Sequence, residues 1–309
     1  MGFNTSPITS NYAGDHAGQY IGSALKASKS LEFLTVLENI KYKRNITKAS
    51  STGMITDASC DFSDNGTLTL VERVLTPELL QINVDLCKND LLSDFQSAQM
   101  TAGANNSDMS ADFAAFVMSH LSDTIADHVE TNIWAGNSTA SGEFVGFMHP
   151  SDGHFSTDSS IIEADNQGGA GTAFDATNID ENLGLITAAI PAAVYSKEDL
   201  YIYMSTASYR LYIQNMADKG FANLYSMTDT FVPMYNGVKI AVCPGMVENK
   251  MVAAQKSNLF FGTDLISDHG PALRMLDMSV LDGSANIRVV CKFSGGTQHA
   301  QGGEIVRLD

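Results

Sequence analysis

The chain has 309 residues, of which 35 are acidic and 18 basic, for a formal net charge of −17; 44% of residues are hydrophobic. That length suits two lobes rather than one simple core. The charge repels both a phosphate backbone and an anionic membrane surface, which argues against nucleic-acid binding by the body and against membrane attachment. It also opposes self-association, so any assembly of copies must rest on buried apolar and backbone contacts and should improve with salt.

Residues 1–30 are small and polar, with Tyr12, Tyr20, Ile21 and Leu25 as the only large anchors. Such a segment cannot fold alone and reads as a tail, or as an arm ordered by a neighbour. MGFNTSPITS has neither the basic nor the apolar region of a secretory signal. Leu31, Phe33, Leu34, Val36, Leu37 and Ile40 suggest a short helix over Ser30–Ile40, with Ser30 as its cap. Lys41, Lys43, Arg44 and Lys48 then place four of the eighteen basic residues within eight positions. They form either a solvated face or a patch that meets acidic surface on another copy.

Thr52–Phe62, the turn Ser63-Asp64-Asn65-Gly66 and the alternating TLTLVERVL of Thr67–Leu75 predict a long hairpin, because Asn-Gly supplies the positive φ of a type I′ turn. No apolar sheet underlies its polar first arm, and a lone hairpin is marginal in water, so it needs a partner surface. A further strand, Leu79–Cys87, follows Pro77. Ser110–Trp134 is the clearest helix. Phe113, Phe116, Val117, His120, Leu121, Thr124, Ile125, His128 and Val129 share one face, Ser110 caps the start and Gly136 stops the end. Its length of about 37 Å suits a strut.

Residues 136–177 are rich in Gly, Ser, Thr, Asp and Asn and read as loop and lobe boundary. Asn178 and Glu181 form a capping-box pair that starts a helix running toward Ala193. Leu200–Met204 reads as a buried strand, and Ser205 or Thr206 caps a helix ending at Gly220. The β-rich remainder turns at Asn236-Gly237 and Asp282-Gly283.

Catalytic chemistry finds no constellation. His120, Asp123, Asp127 and His128 lie on one helix without a metal-binding HExxH or a carboxylate–histidine pair on a second helix. GGAGTAFD lacks the Lys-Ser/Thr of a phosphate loop, and no GxSxG occurs. Cys60, Cys87, Cys243 and Cys291 stand far apart with no metal spacing and read as buried free thiols. No catalytic, cofactor or metal residue is therefore assigned, and no enzyme activity is expected.

The order of segments is more telling. Phe231–Gly245 (FVPMYNGVKIAVCPG) precedes Lys256–Leu265 (KSNLFFGTDL), and Met275–Gly296 (MLDMSVLDGSANIRVVCKFSGG) follows. With Asn258–Leu265 (NLFFGTDL) and Ala17–Gly22 (AGQYIG), this order resembles the major capsid proteins of tailed bacteriophages of the Hong Kong phage type. The resemblance implies an α+β fold with an N-terminal arm (1–30), the start of a peripheral P-domain (31–39), an extended E-loop hairpin with its adjoining strand (40–88), a P-domain with a long spine helix (89–144), an axial A-domain (145–262), P-domain return strands (263–295) and a C-terminal segment (296–309). It implies a shell of pentamers and hexamers around packaged DNA that is enclosed without specific binding. It implies assembly in the host bacterial cytoplasm, a portal, a separate scaffolding protein since Met1 leads directly into the arm, and room for a decoration protein. Contacts between copies are expected at Tyr12, Tyr20, Ile21, Lys41, Lys43, Arg44, Lys48, Asp64, Asn65 and Gly66. The tip Ser63–Gly66 has no lysine, so no covalent cross-linking between subunits is expected. Two rivals are a tail-tube or decoration subunit, and a soluble enzyme with a loop at Gly168–Gly171 over a pocket.

Overall fold

The computed structural model describes residues 29–58, 60, 66–87, 111–167, 169, 171–220, 233–264, 274–278 and 283–309. Two sheets, a two-stranded ribbon and one long helix organise them.

The first sheet runs β1 (Thr35–Leu37), β10 (Leu259–Gly262), β12 (Asn286–His299), β11 (Arg274–Asp277), with β4 (Glu78–Cys87) also paired to β12. β12 serves both ends: Asn286–Gly295 pairs antiparallel with β4, and Gly296–His299 with β10. The second sheet runs β5 (Ile162–Ala164), β13 (Val306–Leu308), β9 (Met251–Gln255), β6 (Leu200–Met204), β8 (Val238–Val242), β7 (Met234–Tyr235). Five helices carry the labels α1 (Ala111–Ala135), α2 (His154–Thr157), α3 (Ile179–Ala189), α4 (Ala192–Tyr195) and α5 (Thr206–Asp218). β2 (Arg44–Thr52) and β3 (Thr67–Leu75) form the separate ribbon.

The second sheet is buried on both faces, as its nearly unbroken apolar strands require. Period-2 alternation sends Ile202, Met204, Ile240 and Ala253 to a core shared with α3 and α5. Tyr203, Ala241, Val252 and Ala254 point the other way, into a core with Trp134 of α1 and residues of the first sheet. The two lobes therefore share one sheet as their wall.

Several expectations hold. α1 covers Ala111–Ala135. β4, β6 and the Asn236-Gly237 turn stand as read, with φ of 46° and 83° at the two turn residues. Ser205 accepts from the Ser208 amide and caps α5. The four cysteines are free; Cys243 and Cys291 are buried as expected, whereas Cys60 is exposed and Cys87 half-buried. No helix among the described residues is long and apolar enough to cross a membrane.

Others are corrected. The segment Ser30–Ile40 is a 3-10 turn, Ser30–Phe33, followed by β1, because Thr35–Leu37 finds a parallel partner in Phe260–Gly262. The outgoing hairpin arm is Arg44–Thr52, not Thr52–Phe62: Thr52 pairs with Thr67, and residues 53–58 are not strand; Ser63, Asp64 and Asn65 of the expected turn lie outside the described residues. Gly53, Asp57 and Asp61 are poor strand formers, whereas the stretch from Arg44 holds Ile46 and Thr47. The helix from Asn178 stops at Ala189, and Pro191 separates it from α4. Asn178 gives α3 no side-chain cap; its Oδ1 accepts from Asp175 N instead. Residues 136–177 are not mere linker, since Phe144, Phe147, Met148 and Phe155 are buried in the first core.

Candidate assembly surfaces

The ribbon has two unlike faces. Directly paired residues share a face, which groups Leu68, Leu70 and Val74 with Ser51, Ala49 and Asn45. The opposite face groups Val71, Arg73 and Leu75 with Lys48, Ile46 and Arg44. Leu68 and Leu70 are 59% and 63% exposed, and Met54 and Ile55 continue the uncovered apolar surface into the connection. At the root of the ribbon Leu75 is fully buried beside Gly262 and Ile40.

The second face meets the body through charge. Lys48 Nζ lies 2.9 Å from Glu304 Oε1. Arg73 Nε donates to the Ala300 carbonyl at 3.1 Å, and its Nη2 donates to Asp158 Oδ2. Gln298 Nε2 donates to the Val74 carbonyl at 3.0 Å. Asp158 Oδ2 also lies 2.8 Å from His299 Nε2, while Asp158 Oδ1 accepts from the amide and hydroxyl of Ser160 at 2.9 and 2.7 Å. Burial opposes the Asp158 charge, but the His299 and Ser160 hydrogen bonds and the Arg73 charge outweigh it and hold the carboxyl well below its usual range. Burial lowers the His299 imidazole in spite of Asp158, and burial with the neighbouring His299 lowers His154 to about 4. Both rings are neutral at pH 7, and His154 Nε2 and His299 Nδ1 are buried with no hydrogen-bond partner.

A second knot joins the lobes. Glu130 of α1 is fully buried and accepts from Ser30 N, Ser30 Oγ and Gly245 N at 2.9, 2.6 and 3.1 Å. Trp134 Nε1 donates to the same Ser30 hydroxyl at 2.7 Å.

No family model matches the chain, and no curated protein matches it. Solved structures do. The Gordonia phage Cozz structure aligns with a TM-score of 0.60 at 10% identity, covering 99% of this chain and 93% of that one. The capsid of Myoviridae phage XM1 aligns at 0.59 and 10% identity, covering 99% and 98%. The capsid of cyanophage P-SCSP1u aligns at 0.58 and 13% identity, covering 100% and 94%. The chain has the Hong Kong phage-type capsid fold.

Lys41, Lys43 and Arg44 are exposed at the root of the ribbon, with Lys43 Nζ 5.3 Å from the centre of the Tyr42 ring. Lys48 is spent on Glu304 of its own chain, so the basic cluster splits into an inward member and three outward ones. Tyr12, Tyr20, Ile21, Asp64 and Asn65 lie outside the described residues; Gly66 lies at the start of the returning strand.

His128 on α1 is held by the Gly142 carbonyl at 2.6 Å and by Asn132 at 2.8 Å. Among the described residues no group of His, Cys, Asp and Glu could hold a metal. Sequence reasoning missed Arg73, Asp158 and His299. Asp158 and His299 are 141 positions apart, and no local pattern marks either. The apolar row Leu68, Leu70, Val74 was visible as alternation, but its exposure was not.

Proposed function

We propose that the chain is a major capsid protein that self-assembles into pentamers and hexamers and closes an icosahedral shell around a phage genome. The observation that carries this reading is the β2–β3 ribbon, taken as the E-loop. The described residues leave its Leu68, Leu70 and Val74 exposed, it extends from a fold whose solved examples include phage capsids, and a lone two-stranded ribbon is marginal in water. A second copy of the same chain supplies the missing surface. Each such contact is modest, and repetition around a closed shell makes it strong.

On this reading the role is structural rather than catalytic, and the chain resides in the virion capsid after assembly in the host cytoplasm. The outward residues Lys41, Lys43 and Arg44, with the arm residues Tyr12, Tyr20 and Ile21 and the connection residues Asp64, Asn65 and Gly66, meet neighbouring copies. A portal and a separate scaffolding protein complete assembly, a decoration protein has the outer surface available, and the net charge of −17 leaves the DNA enclosed without specific binding.

The test is negative-stain microscopy with size-exclusion chromatography of the recombinant chain and of Leu68→Glu/Leu70→Glu. Closed shells or capsomer rings from the parent, with a folded but unassembled double variant, are expected. Rods from the parent point to a tail tube, and shells from the double variant overturn the E-loop contact.

A further inference from the structure

We infer that Arg73 is the positioning residue that sets the angle at which the E-loop ribbon leaves the body, acting through Asp158 and His299. The inference rests on the reading of the ribbon as the arm that reaches a second copy, and concerns how that arm is aimed.

Three observations carry it. The ribbon's polar anchors to the body, from Lys48, Arg73 and the Val74 carbonyl, meet residues 298–304 or Asp158, so the ribbon's direction depends on a small set of groups. Arg73 alone among them spans two separate elements. Its Nε reaches the Ala300 carbonyl and its Nη2 the Asp158 carboxylate, so one planar guanidinium fixes two directions at once. The Asp158 acceptor is also oriented independently of the ribbon. Ser160 holds Oδ1 through two hydrogen bonds and His299 Nε2 meets Oδ2. Gly302 lets the turn approach this carboxylate: a Cβ there would lie 2.4 Å from Asp158 Oδ2 and 2.2 Å from Ser160 Oγ. A carboxylate held this way by the body is a fixed socket. Lys48, a flexible and partly exposed cation on Glu304, is a weaker tether.

A shell that places one sequence in both pentamers and hexamers needs the ribbon at a few defined angles rather than at all angles. The socket limits the range, and the short root supplies the hinge.

The experiment measures the ribbon's angle directly, by pulsed electron–electron resonance on the unassembled full-length chain. Spin labels are placed at Thr69→Cys on the ribbon and Glu181→Cys on α3, both exposed, with Cys60 and Cys87 changed to serine. Arg73→Met and Asp158→Asn should each broaden the distance distribution, raising the population of other angles by about tenfold or more. Arg73→Lys should restore part of the narrow peak, and Lys48→Met should broaden it far less. If Arg73→Met does not fold, Ser160→Ala, which touches only the socket, carries the test and must broaden the peak. Folded Arg73→Met or Ser160→Ala with the parent's distribution would overturn the inference. Because the reading is taken on single subunits, a failure to form shells would count against the capsid reading and leave this one standing.

Discussion

Ser30 and Glu130 are joined twice, through the Ser30 amide and the Ser30 hydroxyl, although 100 positions separate them. The same side chain takes the Gly245 amide, so one buried carboxyl group ties Ser30 to α1 and to the loop after β8. The two substitutions at this knot are unequal. Glu130→Ala strands two backbone donors at about 1–3 kcal/mol each, while Ser30→Ala strands the Trp134 indole at about 1–3 kcal/mol in total. Urea unfolding of the unassembled subunit should place Glu130→Ala clearly below Ser30→Ala. Equal losses would mean that the carboxylate is not the organising group.

Two glycines near this frame predict opposite tolerance. A Cβ at Gly245 would meet the Glu130 carbonyl oxygen at 2.1 Å, which is helix backbone and cannot yield. A Cβ at Gly262 would meet Leu75 Cδ2 at 2.4 Å and Ile40 Cδ1 at 3.0 Å, both ends of side chains that can rotate. Gly245→Ala should cost several times more stability than Gly262→Ala, whose overpacking costs about 1–3 kcal/mol. Thermal melts of the two variants decide it; a Gly262→Ala variant as damaged as Gly245→Ala would show the root of the β2–β3 ribbon to be as rigid as α1.

The histidine pair beneath the E-loop predicts an acid-sensitive fold. The His154 imidazole, with an ordinary value of 6.5, falls to about 4 in the folded chain. Between these values the unfolded chain binds a proton that the folded chain refuses, so stability is complete above pH 6.5 and declines as pH falls toward 4. A shift of this size corresponds to about 3 kcal/mol. His299, also lowered, acts in the same direction, and Asp158 adds a further loss only below its unfolded range near pH 4. Urea midpoints at pH 7.5, 5.5 and 4.5 should fall steeply for the parent and less for His154→Phe. Parallel curves for the two would remove His154 from the account.

The parts of this fold that were legible are those governed by local chemistry. LYIYM is apolar or aromatic throughout because β6 is buried on both sides, and Asn236-Gly237 makes its turn wherever it occurs. The illegible parts depend on partners far along the chain. Thr35–Leu37 looks helical until Phe260–Gly262 lies beside it. Phe144, Phe147 and Phe155 sit among so many small polar residues that composition hid their burial. Of the assembly residues, the basic cluster was visible as a run. The inward turn of Lys48 was not, because Glu304 is 256 positions away.

That inward turn sharpens the prediction about charge. Copies of a chain with net charge −17 repel one another at low ionic strength, and about 0.1 M salt shortens the range of that repulsion to about 10 Å. Salt should therefore promote shell formation in general. If Lys41, Lys43 and Arg44 meet carboxylates of a neighbour, reversing all three to glutamate does more than raise net charge: it places like charges face to face at a contact. Reversing Lys197, Arg210 and Lys292, which are exposed elsewhere in the fold, gives the same net charge without that juxtaposition. Light scattering across a salt series separates the two effects. The control triple should assemble at somewhat higher salt than the parent. The Lys41/Lys43/Arg44 triple should need far more salt or fail to close shells. Coincident curves for the two triples would show the cluster to be a solvated face with no part in assembly.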